Sequence, residues 1–165
     1  MPMEQNGTLE ERAREFISST APLGQNCSIV LVKPEEVDLF WDHVEDYIQQ
    51  SSLRSYYGCK AEHIYHDIVT EESLLWAVLD GGEAMGALIT TVHEYPNMRS
   101  LQVNLVGGEN TKDWIELVIT FMESWAMGIG CSYIEGIGRK GWKKYFPDYD
   151  TNSVVFTKEL KSRKH

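Results

Sequence analysis

Between Arg99 and Tyr149 the chain reads RSLQVNLVGGENTKDWIELVITFMESWAMGIG and then CSYIEGIGRKGWKKYFPDY. No other stretch limits the fold as much. Leu101, Val103 and Leu105 alternate with Gln102 and Asn104, the period of two expected for a half-buried strand. Gly107 and Gly108 end that run and permit backbone angles that other residues avoid. Asn110 or Thr111 is placed to cap a helix, and Asp113 in its first turn complements the positive end of the helix dipole. Trp114, Val118, Phe121, Met122 and Trp125 recur at three- and four-residue spacing, giving one apolar face. Gly128 and Gly130 stop the helix. A glycine turn feeding a helix leaves free N–H groups and a positive dipole end, a place suited to a phosphate. The same unit also serves as a tight connection with no ligand.

The flanking segments extend the pattern. Residues 28–32 read as a strand. Pro34, Glu35 and Glu36 suit a helix's first turn. Val37, Phe40, Trp41, Val44 and Ile48 then make an amphipathic helix to about Gln50. Opposite them lie Asp38, Asp42, Glu45 and Asp46, either a solvated face or one that attracts a cationic amine. A second helix is expected over 60–70. It carries His63 and His66 near Glu62 and Asp67, with no third distant ligand, so no metal is expected. Residues 74–79 and 84–92 read as two strands around an Asp80-Gly81-Gly82-Glu83 hairpin turn, with Gly86 marking a bulge or close approach. Pro96 turns the chain into the Arg99 strand. Beyond the long helix come a strand over 132–138, a short helix over 139–146 and a closing strand over 153–157. Ahead of the domain, Thr8 and Glu11 form a capping box for a short helix over 8–19, with Leu9, Ala13, Phe16 and Ile17 on one face. SSTAPLGQN follows as a linker. The expected organisation is an N-terminal extension over 1–27, one domain over 28–160 and a basic tail over 161–165.

Composition narrows the function classes. The 165 residues suit one domain with a full core. No apolar run approaches the ~18 residues of a membrane span. The polar, acidic start MPMEQNGTLEER is unlike a secretory leader, so a cytoplasmic protein is expected. Cys27, Cys59 and Cys131 are odd in number and widely spaced, which argues against a disulfide framework or a zinc site and fits a reducing compartment. The net charge of −10 argues against nucleic acid as a partner. That charge is uneven: residues 1–138 hold 7 basic and 22 acidic side chains, net −15, and residues 139–165 hold 8 basic and 3 acidic, net +5.

The order strand, glycine turn, long helix, strand, short helix resembles the central part of the GNAT fold of N-acetyltransferases. In that fold the fourth strand runs into a pyrophosphate-binding loop and the third helix. Trp125, Ala126 and Gly128 at the helix end, followed by Gly138, Arg139, Gly141 and Trp142, are similar to a pattern in small GNAT-like proteins of tailed bacteriophages. The resemblance covers roughly residues 28–160. It implies an α/β (α+β) domain with a mixed, mainly antiparallel sheet of about six or seven strands and helices on both faces. It further implies acetyl-CoA as cofactor, held by Leu105, Val106, Gly107, Gly108, Asn110, Thr111, Lys112 and Arg139, and an amine as acceptor. Tyr145 matches the family's general acid toward the departing thiolate, and its ring is also placed to pack with Trp142. Glu135 and Glu94 are candidates for the base. One departure stands out: the family's Gln/Arg-x-x-Gly-x-Gly/Ala loop is absent, and Glu109 sets a carboxylate where pyrophosphate would lie, opposing an anion. Two readings follow: an acetyl-CoA-dependent N-acyltransferase with a degenerate pyrophosphate loop, and a non-catalytic GNAT-like scaffold, virion-associated or binding a phage or host protein, which would be found in the host cytoplasm and in the virion.

Overall fold

The computed structural model describes residues 20–24, 26–54, 59–138 and 140–161. The expected helix over 8–19, Arg139 and residues 162–165 of the basic tail lie outside them. Six strands form one sheet in chain order: β1 (Thr20–Pro22), β2 (Cys27–Val32), β3 (Leu74–Asp80), β4 (Glu83–Tyr95), β5 (Met98–Gly108) and β6 (Tyr133–Gly136). Neighbours are antiparallel except β5 and β6, which are parallel. Among the described residues three helices complete the layers: α1 (Val37–Arg54), α2 (Ala61–Val69) and α3 (Thr111–Gly128). A single 3-10 turn precedes α1 at Pro34–Glu36, and a two-turn 3-10 helix follows β6 at Lys140–Tyr145.

The apolar run of β3 explains why helices cover both faces. A strand without alternation buries both of its sides. Leu75, Ala77 and Leu79 pack with Val37, Phe40, Val44 and Ile48 of α1 and Ile64 and Ile68 of α2. Trp76 and Val78 point the other way and pack with Leu88, Leu101 and the Trp114, Ile115, Val118 and Met122 face of α3. The buried Trp76 Nε1 donates to Thr90 Oγ1 at 2.9 Å, so the indole brings no unpaired polar atom into the core. Among the described residues no helix is long and apolar enough to cross a membrane.

Three expectations are corrected. Gly107 and Gly108 do not form a turn; both lie inside β5, opposite Ala87 and Gly86 of β4. The turn is Glu109–Asn110, and Asn110 takes the left-handed conformation, φ 51°. Part of the expected linker is β1, which covers the outer edge of β2 with Ala21 opposite Ile29. The expected strand over 153–157 has no sheet partner, and residues 151–161 are exposed throughout. Tyr149 is tied to α3 by a hydrogen bond from its hydroxyl to Glu123 Oε2 (2.8 Å), and the described residues beyond it do not join the sheet.

Candidate active site

β5 and β6 part company halfway along β5. Their ladder runs from Ser100 opposite Tyr133 to Val103 opposite Gly136, whereas β5 continues to Gly108. Among the described residues, 104–108 therefore present one edge with no strand on it. At the start of this split the β4–β5 register slips. Ile89 faces Leu105 and Thr90 faces Val103, leaving Asn104 as the extra residue of a bulge. Bulges re-aim side chains and concentrate beside functional sites.

Polar side chains gather on the α1/α2 side of this point. Asn104 Nδ2 donates to Thr91 Oγ1 at 2.6 Å, and the Thr91 hydroxyl shares a hydrogen bond with Ser73 Oγ at 3.3 Å. His93 Nε2 meets Gln102 Oε1. Ser100 Oγ donates to Glu135 Oε1 at 3.1 Å. Beside them lies a cavity of about 260 Å³ whose walls include Ser52, Ser73, Gln102, Asn104, Leu105 and Ile137. Asp67 of α2 is the charged group in its lining.

On the opposite face stands the N-terminus of α3. The first-turn amides of a helix have no intrahelical partner. Asp113 N donates to Asn110 O at 2.8 Å, and the Asn110 side chain makes no capping bond. Thr111 Oγ1 donates to Gly108 O at 3.4 Å, and Lys112 is exposed. The Glu109 amide is taken by Met85 O at 2.8 Å, while its carboxylate is exposed. That charge is felt nearby: burial raises the Tyr47 phenol above its ordinary value, with Glu109 and then Asp46 adding to the shift.

The residues named from the sequence are thus spread around the split. Leu105 packs toward α1 and lines the cavity. Val106 packs toward α3, and its carbonyl accepts a hydrogen bond from Ser51 Oγ at 3.0 Å. Gly107, Gly108, Asn110, Thr111 and Lys112 follow one another into α3, and Arg139 lies outside the described residues. Ile134 packs toward α3, so its neighbour Glu135 points to the cavity side. Tyr145 is half-buried against the α3 cluster with its ring centroid 5.6 Å from that of Trp142. Glu135 and Tyr145 therefore lie on opposite faces of the sheet. Glu94 instead binds Arg99 at 2.6 Å near the β4–β5 turn. Burial raises the Cys27 and Cys131 thiols above their ordinary value, away from the thiolate a nucleophile needs. His63 and His66 are exposed on α2.

Sequence reasoning did not assign Thr91, His93, Gln102 and Asn104 to a site. Their signal was present as polar residues on alternate positions of two paired strands. It becomes a cluster only when the register, including the bulge, is known.

No protein-family model matches the chain, and no curated protein sequence matches it. Solved structures do. The fold is similar to that of an aminoglycoside acetyltransferase from an uncultured soil metagenomic sample in complex with sisomicin, with a TM-score of 0.63, 12% identity, and 82% of this chain and 97% of that one covered. A GNAT family acetyltransferase from Staphylococcus aureus gives a TM-score of 0.62 at 10% identity, covering 82% of this chain and 100% of that one. The ribosomal-protein-alanine N-acetyltransferase from Brucella melitensis gives 0.61 at 13% identity, covering 80% and 99%. At these identities the likeness is one of fold.

Proposed function

We propose that this chain, which has the GNAT fold, transfers an acetyl group from acetyl-CoA to an amine. The observation that carries the reading is the split of β5 from β6 at the Asn104 bulge, with a helix N-terminus that has no side-chain cap on one face and, on the other, a mainly apolar cavity that also presents Gln102, Asn104 and Asp67. The residues present fit the coenzyme: the Thr111 and Lys112 amides and the Lys112 ammonium suit its phosphates, and the open edge of 104–108 suits an extended amide chain, which pairs with a strand as another strand would. Arg139 completes the proposed set. Acetyl-CoA supplies the acyl group as a thioester.

The chain's own groups handle the protons. The acceptor amine enters from the cavity, where Asp67 favours a substrate bearing a further positive charge. Glu135, held by Ser100, accepts the proton that the amine sheds as its nitrogen bonds the acyl carbon. Tyr145 would be the group that supplies a proton to the coenzyme's sulfur as it leaves. In this reading Asn104, whose amide donates to Thr91 Oγ1 at the bulge, is the polar group nearest the acyl carbonyl.

Calorimetric titration with acetyl-CoA, followed by an assay of thiol release with a panel of amines, tests the reading. Saturable binding near micromolar, about −8 kcal/mol, and amine-dependent thiol release are expected. Absence of both binding and turnover removes the reading. The exposed Glu109 carboxylate at the phosphate position favours the second one, a GNAT-like scaffold that binds a protein partner, with a phage or host protein as the partner class the sequence resemblance implies.

A further inference from the structure

We infer that Gln102, fixed in orientation by His93, determines which acceptor the cavity takes: a small amine with an uncharged oxygen on the carbon adjacent to the one bearing the nitrogen. For its reaction the inference rests on the acetyl-transfer reading; for its ligand it rests on the cavity's own hydrogen-bonding groups. Strand geometry brings those groups together. Val103 packs toward α3, so Gln102 points to the cavity side. Strict alternation would then turn Leu105 away from the cavity, yet Leu105 packs toward α1. The bulge accounts for this, and it leaves Gln102, Asn104 and Leu105 lining one space.

A side-chain amide has one end that accepts and one that donates. His93 Nε2 meets Gln102 Oε1, and a carbonyl oxygen only accepts, so the ring nitrogen donates. The accepting end of Gln102 is thereby taken, and its Nε2 donates to no described residue. Asn104 is set the other way round. Its Nδ2 donates to Thr91 Oγ1, and its Oδ1 accepts from no described residue. The Asp67 backbone carbonyl accepts from the Glu72 and Ser73 amides at 2.9 and 3.1 Å, while its carboxylate has no hydrogen bond or ion pair among the described residues. A free donor, a free acceptor and a free carboxylate thus line one cavity. The remaining walls include the apolar Ile64, Ile89, Leu105 and Ile137.

Polar groups withdrawn from water favour the ligand that pairs them. The N–H groups of an amine suit Asp67 and Asn104 Oδ1. Gln102 Nε2 requires an oxygen. Two residues along a strand span about 6–7 Å, so a nitrogen and an oxygen on adjacent carbons, each one hydrogen bond from its partner, bridge Asn104 and Gln102. That oxygen is uncharged: a carboxylate would meet Asp67 in the lining and Glu135 on the same side of the sheet. The volume of about 260 Å³ and the isoleucine and leucine walls suit a small branched aliphatic body. The ligand class is therefore an amino-acid amide or an amino alcohol, and not a free amino acid.

Four probes that differ in one group test this. Leucinamide and leucinol carry the neutral oxygen, isopentylamine lacks it, and leucine carries a carboxylate. Calorimetry without acetyl-CoA measures their binding, and thiol release with acetyl-CoA gives KM and kcat. Leucinamide and leucinol are expected to bind about five- to tenfold more tightly than isopentylamine. The same ratio is expected in KM, with little difference in kcat, and leucine is expected to bind most weakly. Gln102→Leu and His93→Ala are each expected to abolish the preference. His93→Gln, whose amide can still donate to Gln102 Oε1, is expected to restore it. The readout is a ratio between ligands within one protein, so a general loss of activity does not imitate it. Equal binding of isopentylamine and leucinamide overturns the inference, as does a preference that survives Gln102→Leu, and as does failure of all four to bind. The expected order of binding without thiol release sustains the ligand assignment and removes the transfer reading. Thiol release with all four at equal KM does the reverse.

Discussion

Gly107 lies directly beneath the Tyr47 carbonyl: a β carbon there would stand 2.5 Å from that oxygen and 3.1 Å from Ser51 Cβ. Helix α1 thus crosses β5 at backbone contact, and the absence of a side chain permits it. The crossing also brings Ser51 Oγ to the Val106 carbonyl. Gly107→Ala is expected to destabilise the fold by about 1–3 kcal/mol through overpacking. Gly128→Ala, where nothing lies within 4 Å, is expected to be neutral or stabilising by up to ~1 kcal/mol. Urea denaturation of the two variants checks the contrast.

Glu109 opposes the anion that the α3 N-terminus favours. Glu109→Gln is expected to tighten acetyl-CoA binding by about 0.3–1 kcal/mol, the usual worth of one charge at a helix end. The gain is expected to shrink as salt rises. Titration calorimetry at two ionic strengths measures it. The same substitution is expected to lower the Tyr47 phenol pKa, readable by ultraviolet absorbance, because Glu109 contributes to its raised value.

Tyr145→Phe separates two roles of one side chain. The phenylalanine ring keeps the packing on Trp142 and the α3 cluster. Stability is therefore expected to change by no more than about 0.5 kcal/mol. As the proposed proton donor, the hydroxyl is expected to be worth about 10²-fold in turnover. Thermal melts together with thiol-release rates report both quantities.

Glu36 gives stability a pH dependence. It is buried before α1, and neither carboxylate oxygen has a hydrogen-bond partner. Burial raises its pKa above the ordinary 4.5, with Lys33 acting in the opposite direction. A raised acid binds its proton more tightly when folded. Its contribution is intact below about 4.5 and is lost as pH rises through the folded value. Glu36→Gln is accordingly expected to stabilise the protein at pH 7 by about 1 kcal/mol, and to leave it unchanged near pH 4. Denaturation midpoints of both proteins across that range decide it.

Much of the architecture was legible because its signals are local. The alternation of Leu101, Val103 and Leu105 marked β5, and the three- and four-residue spacing from Trp114 to Trp125 marked α3. The apolar run over 74–79 marked β3, and the helices packed on both of its sides came from the structure. The candidate site was legible only in part. Residues 105–112 were read in order along the chain, yet the Ser73–Thr91–Asn104 chain of hydrogen bonds and the Ser100–Glu135 bond join residues far apart in sequence.

Periodicity and turn chemistry act between residues a few positions apart, so the sequence by itself determined the identity and order of the main elements. Where Gly107 and Gly108 fall, how Asn104 comes to bulge, and whether 153–157 finds an edge were decided only by tertiary structure. Each depends on contacts between distant segments: α1 laid across β5, the β4 register set against β5, and Tyr149 tied to α3. A strand needs a partner as well as a propensity, and the partner is not written in the strand.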